Sequence, residues 1–356
     1  MDSGLSIDKL SEVIHATRET IKPPTWEDLS RTRRRYIAAK QILKRRKKAM
    51  RGLGGTYRWD VKVDRHQQAS AVGAYNIEQT AVKDMFVKAN VPVRTLRGKY
   101  AFDILEEELN SGPEQVVDVI KARRIDCYGD AVDKIEEYFW ADPIDPTDEI
   151  TPWPLSMTIL PHPSASTPPG FNGGNPTGWA TKQGLNASLF TRWRNWTAGW
   201  ADMSAIEPGF IYRLNEAIDK TNFQAPYPYP NASPEEDDYV FVAPFALRQM
   251  INQYLRSQND NLGKDVRSFF GDPVVAGTPV QWVEDLDNKE SMPFIGINFS
   301  VFTVVQVSGW DFKEQGPDRA PLQPTVLEVY VYKMYNIANR DPSRNFQLNY
   351  FANLSA

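Results

Sequence analysis

The 356-residue sequence predicts an α+β protein in which long appendages precede a mixed body. Three patterns carry that expectation. Two runs, near residues 57–65 and 85–93, alternate apolar and polar side chains with the two-residue period of a strand. A stretch over 113–140 repeats apolar residues at the three- or four-residue spacing of a helix. Short strand-like runs then follow in the second half, interspersed with helical ones.

At the N-terminus, Leu10, Val13, Ile14 and Ile21 fall near one face of a short helix over 1–22, which Pro23-Pro24 stops. Thr25 can cap a second helix, and Glu27 and Asp28 sit in its first turn, where the helix dipole favours acid. This helix is expected to run to about Arg51 and to end at Gly52. Between Arg31 and Arg51 stand eleven Lys/Arg and no acid. Leu29, Tyr36, Leu43 and Met50 recur every seven residues and leave one narrow apolar seam among the charges.

Tyr57, Trp59, Val61 and Val63 alternate with Arg58, Asp60, Lys62 and Asp64. After a polar stretch from His66 to Thr80, a second run sets Met85, Val87, Ala89, Val91 and Val93 on one side. Each run would span about 30 Å at 3.3 Å per residue, giving a long hairpin with a wide polar tip. An isolated two-stranded ribbon is marginal in water, so this one needs a surface to lie on.

The longest helix is capped by Ser111 or Gly112, with Pro113 and Glu114 in its first turn. Val116, Ile120, Cys127, Ala131, Ile135 and Tyr138 or Phe139 form its stripe, and it ends at Trp140 before Asp142-Pro143. Over 113–140 its length would be about 42 Å. Nine prolines between Pro143 and Pro176 mark a domain boundary or a long ordered loop. Trp193, Trp196 and Trp200 then read as one helical face, followed by a helix over about 202–221, for which Pro208 is an alternative start. Tyr239–Ala243 reads as a buried strand, and Pro244 opens a helix through Arg256. Strands are expected at about 279–284, 293–298, 300–307 and 326–336, with a last short one over 346–351.

Net charge is −4, unevenly spread. Residues 1–51 hold 14 Lys/Arg against 6 Asp/Glu, a net +8, so the other 305 residues carry −12. A basic arm on an acidic body suits an arm that reaches another copy, an acidic partner or nucleic acid. The single cysteine, Cys127, excludes a disulfide within the chain and fits a reducing cytoplasm; on the apolar stripe it reads as a small core residue. Leu5, Ile7 and Leu10 are interleaved with Asp8 and Lys9, unlike a signal peptide, and no apolar run approaches the roughly 20 residues that span a bilayer.

A search for chemistry is negative. His15, His66 and His162 stand far apart, without the clustered partners that metal binding or acid–base work requires. The Gly-rich stretch from Gly170 to Gly178 lacks the Gly-Lys-Ser/Thr of a phosphate loop. Asp285, Asp287 and Asn288 begin like a calcium loop, which Lys289 and Glu290 break. Glu235-Glu236-Asp237-Asp238 reads as a solvated loop, and the tryptophan stripe as core or interface in preference to a sugar platform. No catalytic residue, cofactor or metal is expected.

In the order basic arm, long ribbon, long helix and mixed domain, the chain resembles the major capsid proteins of tailed bacteriophages, which share the Hong Kong 97 fold. Asp272-Pro273-Val274 leading to Val280-Gln281-Trp282-Val283, then Pro293-Phe294-Ile295-Gly296-Ile297-Asn298-Phe299, is similar to late axial-domain strands of several such proteins. So is Gly170-Phe171-Asn172-Gly173-Gly174 followed by Trp193-Arg194-Asn195. The resemblance implies a basic arm over 1–56, an extended β-hairpin loop over 57–100 and a peripheral domain over 101–149 with a spine helix over 113–140. An axial domain over 150–325 and return strands of the peripheral domain over 326–356 complete it.

It also implies hexamers and pentamers that close an icosahedral head around double-stranded DNA, bound non-specifically on the inner face, with no membrane. Subunits would wait in the host cytoplasm before entering the virion, with separate scaffolding, portal and decoration proteins as candidate partners. In that frame Arg33, Arg34, Arg35, Arg45, Arg46, Lys47 and Lys48 would pair with acidic surfaces of adjacent subunits or a scaffold, or face the genome. Tyr57, Trp59, Val61 and Val63 would bury the ribbon on a neighbour. A chain lacking 1–51 is expected to fold yet fail to make regular shells. Three rivals make different demands. A nucleic-acid-binding protein would use the basic segment 31–51, giving salt-dependent, sequence-blind affinity. A carbohydrate-active enzyme would use the Trp-rich region with a carboxylate such as Asp202 or Glu207. An encapsulin-type compartment would enclose an enzyme cargo in place of DNA.

Overall fold

A computed structural model of the chain describes residues 35–44, 48–50, 55–64, 84–105, 119–222, 238–257 and 273–354. The first half contributes α1 (Ile37–Lys44), β1 (Lys48–Met50), β2 (Thr56–Lys62), β3 (Phe86–Pro92), β4 (Arg94–Asp103) and α2 (Val119–Trp140). Then come β5 (Gly170–Gly173), β6 (Asn195–Trp200), α3 (Phe210–Thr221), β7 (Tyr239–Ala243), α4 (Phe245–Ser257) and β8 (Val274–Val275). The remainder is β9 (Thr278–Trp282), β10 (Phe294–Asn298), β11 (Phe302–Val307), β12 (Lys313–Arg319), β13 (Val326–Asn339) and β14 (Phe346–Tyr350).

Strand β13 is the backbone of a five-stranded sheet. Its 14 residues reach about 46 Å, long enough to serve several partners. One edge pairs antiparallel with β4, from Val326↔Asp103 to Tyr335↔Arg94. The other pairs with β12 and then with β11, to which β1 adds a parallel strand. Its side chains alternate as a strand requires: Val329, Val331, Lys333 and Tyr335 are buried and the residues between them are half-buried. Lys333 is tolerated inside because Asp311 pairs with it and the Phe312 ring lies 4.5 Å from its ammonium.

Helix α2 packs against β4. Its 22 residues make it about 33 Å long, and Ala131, Ile135, Phe139 and Trp140 are buried as the stripe requires. Cys127 is buried too, and burial raises its thiol above the usual range, as for an inert core residue. The helix comes this close because residue 98 is glycine: a Cβ there would sit 2.9 Å from Cys127 Sγ. The predicted start of this helix, 111–118, lies outside the described residues.

The second sheet has seven strands in the order β5-β6-β14-β10-β7-β9-β8. Its core gathers Trp196, Trp200, Phe210, Phe241, Phe294 and Phe346, with neighbouring ring centroids such as Trp200–Phe210 5.2 Å apart. Helix α3 covers β6, presenting buried Phe210, Leu214 and Ala217. Strands β7, β9, β10, β11 and β14 and helix α4 stand close to where the sequence places them.

Four expectations are corrected. Trp193 ends a 3₁₀ turn, whereas Trp196 and Trp200 lie in β6, all six residues of which are buried. A strand covered on both faces loses its period-two signature, so three aromatics at i, i+3 and i+7 imitate a helix face. The helix expected over about 202–221 starts at Phe210, in keeping with the alternative start at Pro208 and not with 202. The basic arm helix does not run to Arg51: it ends at Lys44, and Lys48–Met50 pair with Val305–Val307 as a strand. Five consecutive cations, Lys44 to Lys48, repel one another along a helix, and no acid stands in sequence between Arg31 and Arg51. Finally, residues 326–356 do not form one returning unit. Strand β13 joins the five-stranded sheet, while β14 lies between β6 and β10 in the other; β11 and β12, expected in the axial domain, pair with β13.

Candidate assembly surfaces

Strands β2 and β3 form the predicted ribbon, in register from Thr56↔Pro92 to Lys62↔Phe86. Its odd-numbered side chains share one face, where Tyr57↔Val91, Trp59↔Ala89 and Val61↔Val87 are cross-strand pairs. That face lies on its own chain. Tyr57 is only 7% exposed, clustered with Val91, Trp153, Met157, Val305 and Ala338, and its hydroxyl accepts from Arg340 at 3.3 Å. Further out, Trp59, Val61 and Val87 pack against Ala89, Leu185, Ala187 and Trp193. The expectation that Tyr57 buries on a neighbour is therefore corrected, because its own chain covers it; Trp59 and Val61 are half-buried there. Val63, one residue beyond β2, is half-buried. The polar tip, 65–83, lies outside the described residues.

A tight turn builds that surface. Lys182 and Leu185 exchange backbone hydrogen bonds of 2.7 and 3.1 Å across Gln183 (φ 53°) and Gly184 (φ 81°). Two successive positive φ values give the primed turn geometry in which glycine is favoured. Gly184 also lets the turn touch the ribbon, since a Cβ there would lie 2.7 Å from Asn90 Nδ2. The Asn90 amide donates to Gln183 O at 2.9 Å, and Trp193 Nε1 donates to Lys182 O at 3.0 Å. Behind the turn the Lys182 amine is fully buried, donating to Gly173 O at 3.2 Å and Asn195 Oδ1 at 3.3 Å. Burial, with Arg194 adding repulsion, holds its pKa well below the ordinary lysine range. At the ribbon base, Asn336 Nδ2 donates to Pro92 O at 2.7 Å and its Oδ1 accepts from Trp153 N at 3.1 Å.

The arm is fastened by one carboxylate. Glu136, in α2 and 1% exposed, accepts from the Ile37 and Ala38 amides at 3.2 Å each and from Ala39 N at 2.7 Å. The Trp140 indole donates to it at 2.7 Å. Three N–H groups of the first turn of α1 are thus bonded from another helix, Ile37 N sharing its proton with Arg35 O at 3.0 Å, and the carboxylate lies at the positive end of the helix dipole. Burial raises the Glu136 pKa against the opposing pull of these hydrogen bonds. Tyr36 donates its hydroxyl to Asp133. Ile37, Ala38, Ala39 and Ile42 are buried, so the docking face sits beside the heptad seam, of which Tyr36 and Leu43 are only half-buried. Of the predicted basic contacts, Arg35 is exposed and Lys48 lies in β1; Arg33, Arg34, Arg45, Arg46 and Lys47 lie outside the described residues.

Chemistry is sparse. The His162 ring is buried between Thr197 Oγ1 and Thr167 O, 3.0 Å from each, and burial lowers its pKa. Among the described residues no group of His, Cys, Asp and Glu could hold a metal ion, and no helix is long and apolar enough to cross a membrane. A cavity of about 580 Å³ is lined by Trp140, Asp142, Leu155, His162 and Lys289. Lys289 and Asp142 pair at 2.5 Å, and the cavity holds no second carboxylate to work with Asp142. The signals missed in the sequence are the Glu136 cap and the Lys182–Leu185 turn, since both depend on partners distant along the chain.

No protein-family model and no curated protein matches the sequence. Solved structures do match. One is the cyanophage A-1(L) capsid asymmetric unit, 12% identical over 94% of this chain and 97% of that one, with a TM-score of 0.60. The capsid of a native GTA particle is 13% identical over 93% and 95%, TM-score 0.53. The asymmetric unit of the bacteriophage PhiM1 mature capsid is 10% identical over 94% and 92%, TM-score 0.50. At such identities the likeness is one of fold, and it runs nearly end to end. The chain therefore has the architecture of a phage capsid subunit. More particularly, arm, ribbon, long helix and paired sheets make it the Hong Kong 97 fold named above.

Proposed function

We propose that this chain is a major capsid protein of a tailed bacteriophage, assembling as hexamers and pentamers into an icosahedral head around double-stranded DNA. What supports the reading most directly is the fold it shares with a cyanophage capsid subunit across 94% of its length. The subunit is a structural component of the virion, with no catalytic site and no cofactor. A closed shell multiplies modest contacts, so no single interface needs to be strong. The cations Arg33, Arg34, Arg35, Arg45, Arg46, Lys47 and Lys48 pair with acidic surfaces of adjacent subunits, of a separate scaffolding protein or of the packaged DNA. Portal and decoration proteins complete the particle.

The test is size. Sedimentation velocity and negative-stain imaging of the purified chain, with and without a candidate scaffolding protein, should reveal closed shells or their hexamers and pentamers. A chain that stays monomeric under every condition refutes the reading.

A further inference from the structure

The cavity beside Trp140 is walled by distant parts of the chain. The end of α2 supplies Trp140, the proline-rich connector Leu155 and Ile159, and the segment between β9 and β10 Lys289. Ile295 of β10 and Gln347 of β14 face it from the second sheet. Its volume of about 580 Å³ lies within the roughly 300–1,000 Å³ of small-molecule sites, and like them it sets a few polar groups among apolar walls. Gln347 is out of place there. Strand β14 turns Phe346 and Leu348 into the aromatic core, so Gln347 points the opposite way, in register with Ile295 and Thr197. The residue is 8% exposed, and its side-chain amide hydrogen-bonds to none of the described residues. The other buried polar groups on the walls are engaged. The Trp140 indole donates to Glu136, and both ring nitrogens of His162 are held by Thr197 and Thr167. A buried amide without a partner is costly, and an apolar side chain like that of Ile295 beside it would fill the same place without the penalty.

We infer that this cavity binds a small neutral ligand with an apolar body and a carboxamide edge, held by the side-chain amide of Gln347. That amide offers a donor and an acceptor in one plane, so a second amide completes it with two hydrogen bonds, one in each direction. The apolar body lies against Trp140, Leu155, Ile159 and Ile295. An anion is not what the site asks for: its cation, Lys289, is already paired with Asp142 at 2.5 Å. The site lies within one subunit, so the inference stands whether or not subunits form shells. A ligand seated there ties the end of α2 to the second sheet.

The test sets three probes of similar size against the full-length chain: benzamide, benzoate and toluene. Saturation-transfer NMR reads their binding on single subunits and on assembled particles alike. Benzamide should bind saturably and raise the melting temperature, since a ligand of the native state alone stabilises it. Benzoate and toluene should each bind more weakly by about tenfold or more, because each leaves part or all of the Gln347 amide without a partner. Gln347→Leu is close in size and should fold, losing benzamide affinity by about tenfold while gaining affinity for toluene. Benzamide that never binds saturably overturns the inference. So does tighter binding of benzoate, which would make Lys289 the anchor of an anion site, and so does equal binding of toluene, which would leave a plain apolar hole. Unchanged benzamide binding by Gln347→Leu would place the ligand elsewhere and also overturn it. Should that variant not fold, the ranking of the three probes on wild type decides alone.

Discussion

Truncating Glu136 to alanine removes the acceptor of four hydrogen bonds at once, and the consequence can be worked out in stages. Three donors are amides of the first turn of α1, and the fourth is the Trp140 indole. A buried donor left without a partner costs about 1–3 kcal/mol, so even with some water entering the gap the variant should lose about 4 kcal/mol of local stability. On the other side stands the docking of α1, where buried Ile37 and Ile42 contribute about 1.5–3 kcal/mol each. Eight residues of helix are not stable alone in water, so α1 should come away as a unit instead of persisting with unpaired donors. A loss of about 4 kcal/mol corresponds to roughly a thousandfold increase in the open population. Native-state hydrogen exchange reads this directly: amides of α1 should exchange about a thousandfold faster, with β10 and β13 unchanged. Glu136→Gln keeps one acceptor oxygen at the site, so its effect should be smaller, about 1–2 kcal/mol. Unchanged α1 protection in Glu136→Ala would refute the assignment of this carboxylate as the fastening of the arm.

Three further outcomes follow from the same geometry. The folded chain depresses the Lys182 pKa, so the unfolded chain binds more protons below the usual lysine range, and this residue makes stability rise with pH until that range near pH 10 is reached. Urea unfolding at pH 7 and 9.5 should show a smaller rise for Lys182→Met than for wild type, and equal rises would count against a buried neutral amine. Gly184→Ala should cost about 1–2 kcal/mol through its left-handed conformation alone, read as a lower midpoint in urea together with a change in Trp59 and Trp193 fluorescence as the turn leaves Asn90. Removing 1–51 takes away buried Ile37, Ala38, Ala39 and Ile42 together with β1, and should lower the melting temperature clearly. That last expectation revises the view from sequence that 1–51 is dispensable for folding.

The readable parts of the sequence were those in which one face of an element meets water. The ribbon alternates visibly because Arg58, Asp60 and Lys62 are exposed while Tyr57 is buried. Helix α2 shows its stripe for the same reason. Where both faces are covered, as in β6, the pattern disappears and tryptophan spacing misleads. Strands β4 and β12 are polar ladders, with Leu96 the only buried side chain of β4, so hydrophobicity could not announce them. The face that β2 and β3 turn inward is legible in the sequence, but the part of the chain that packs on it is not. That depends on the turn at Gln183–Gly184, more than ninety residues further along the chain.

The weaving of the last strands has a mechanical outcome. After β10 the chain leaves the larger sheet, lays down β11, β12 and β13 in the smaller one, and returns to insert β14 between β6 and β10. Neither sheet can be excised as a continuous piece of polypeptide, and a cut near residue 325 would take the longest strand from one and a central strand from the other. The two halves must then melt together, and a load applied to either is carried by covalent backbone, not by side-chain adhesion alone.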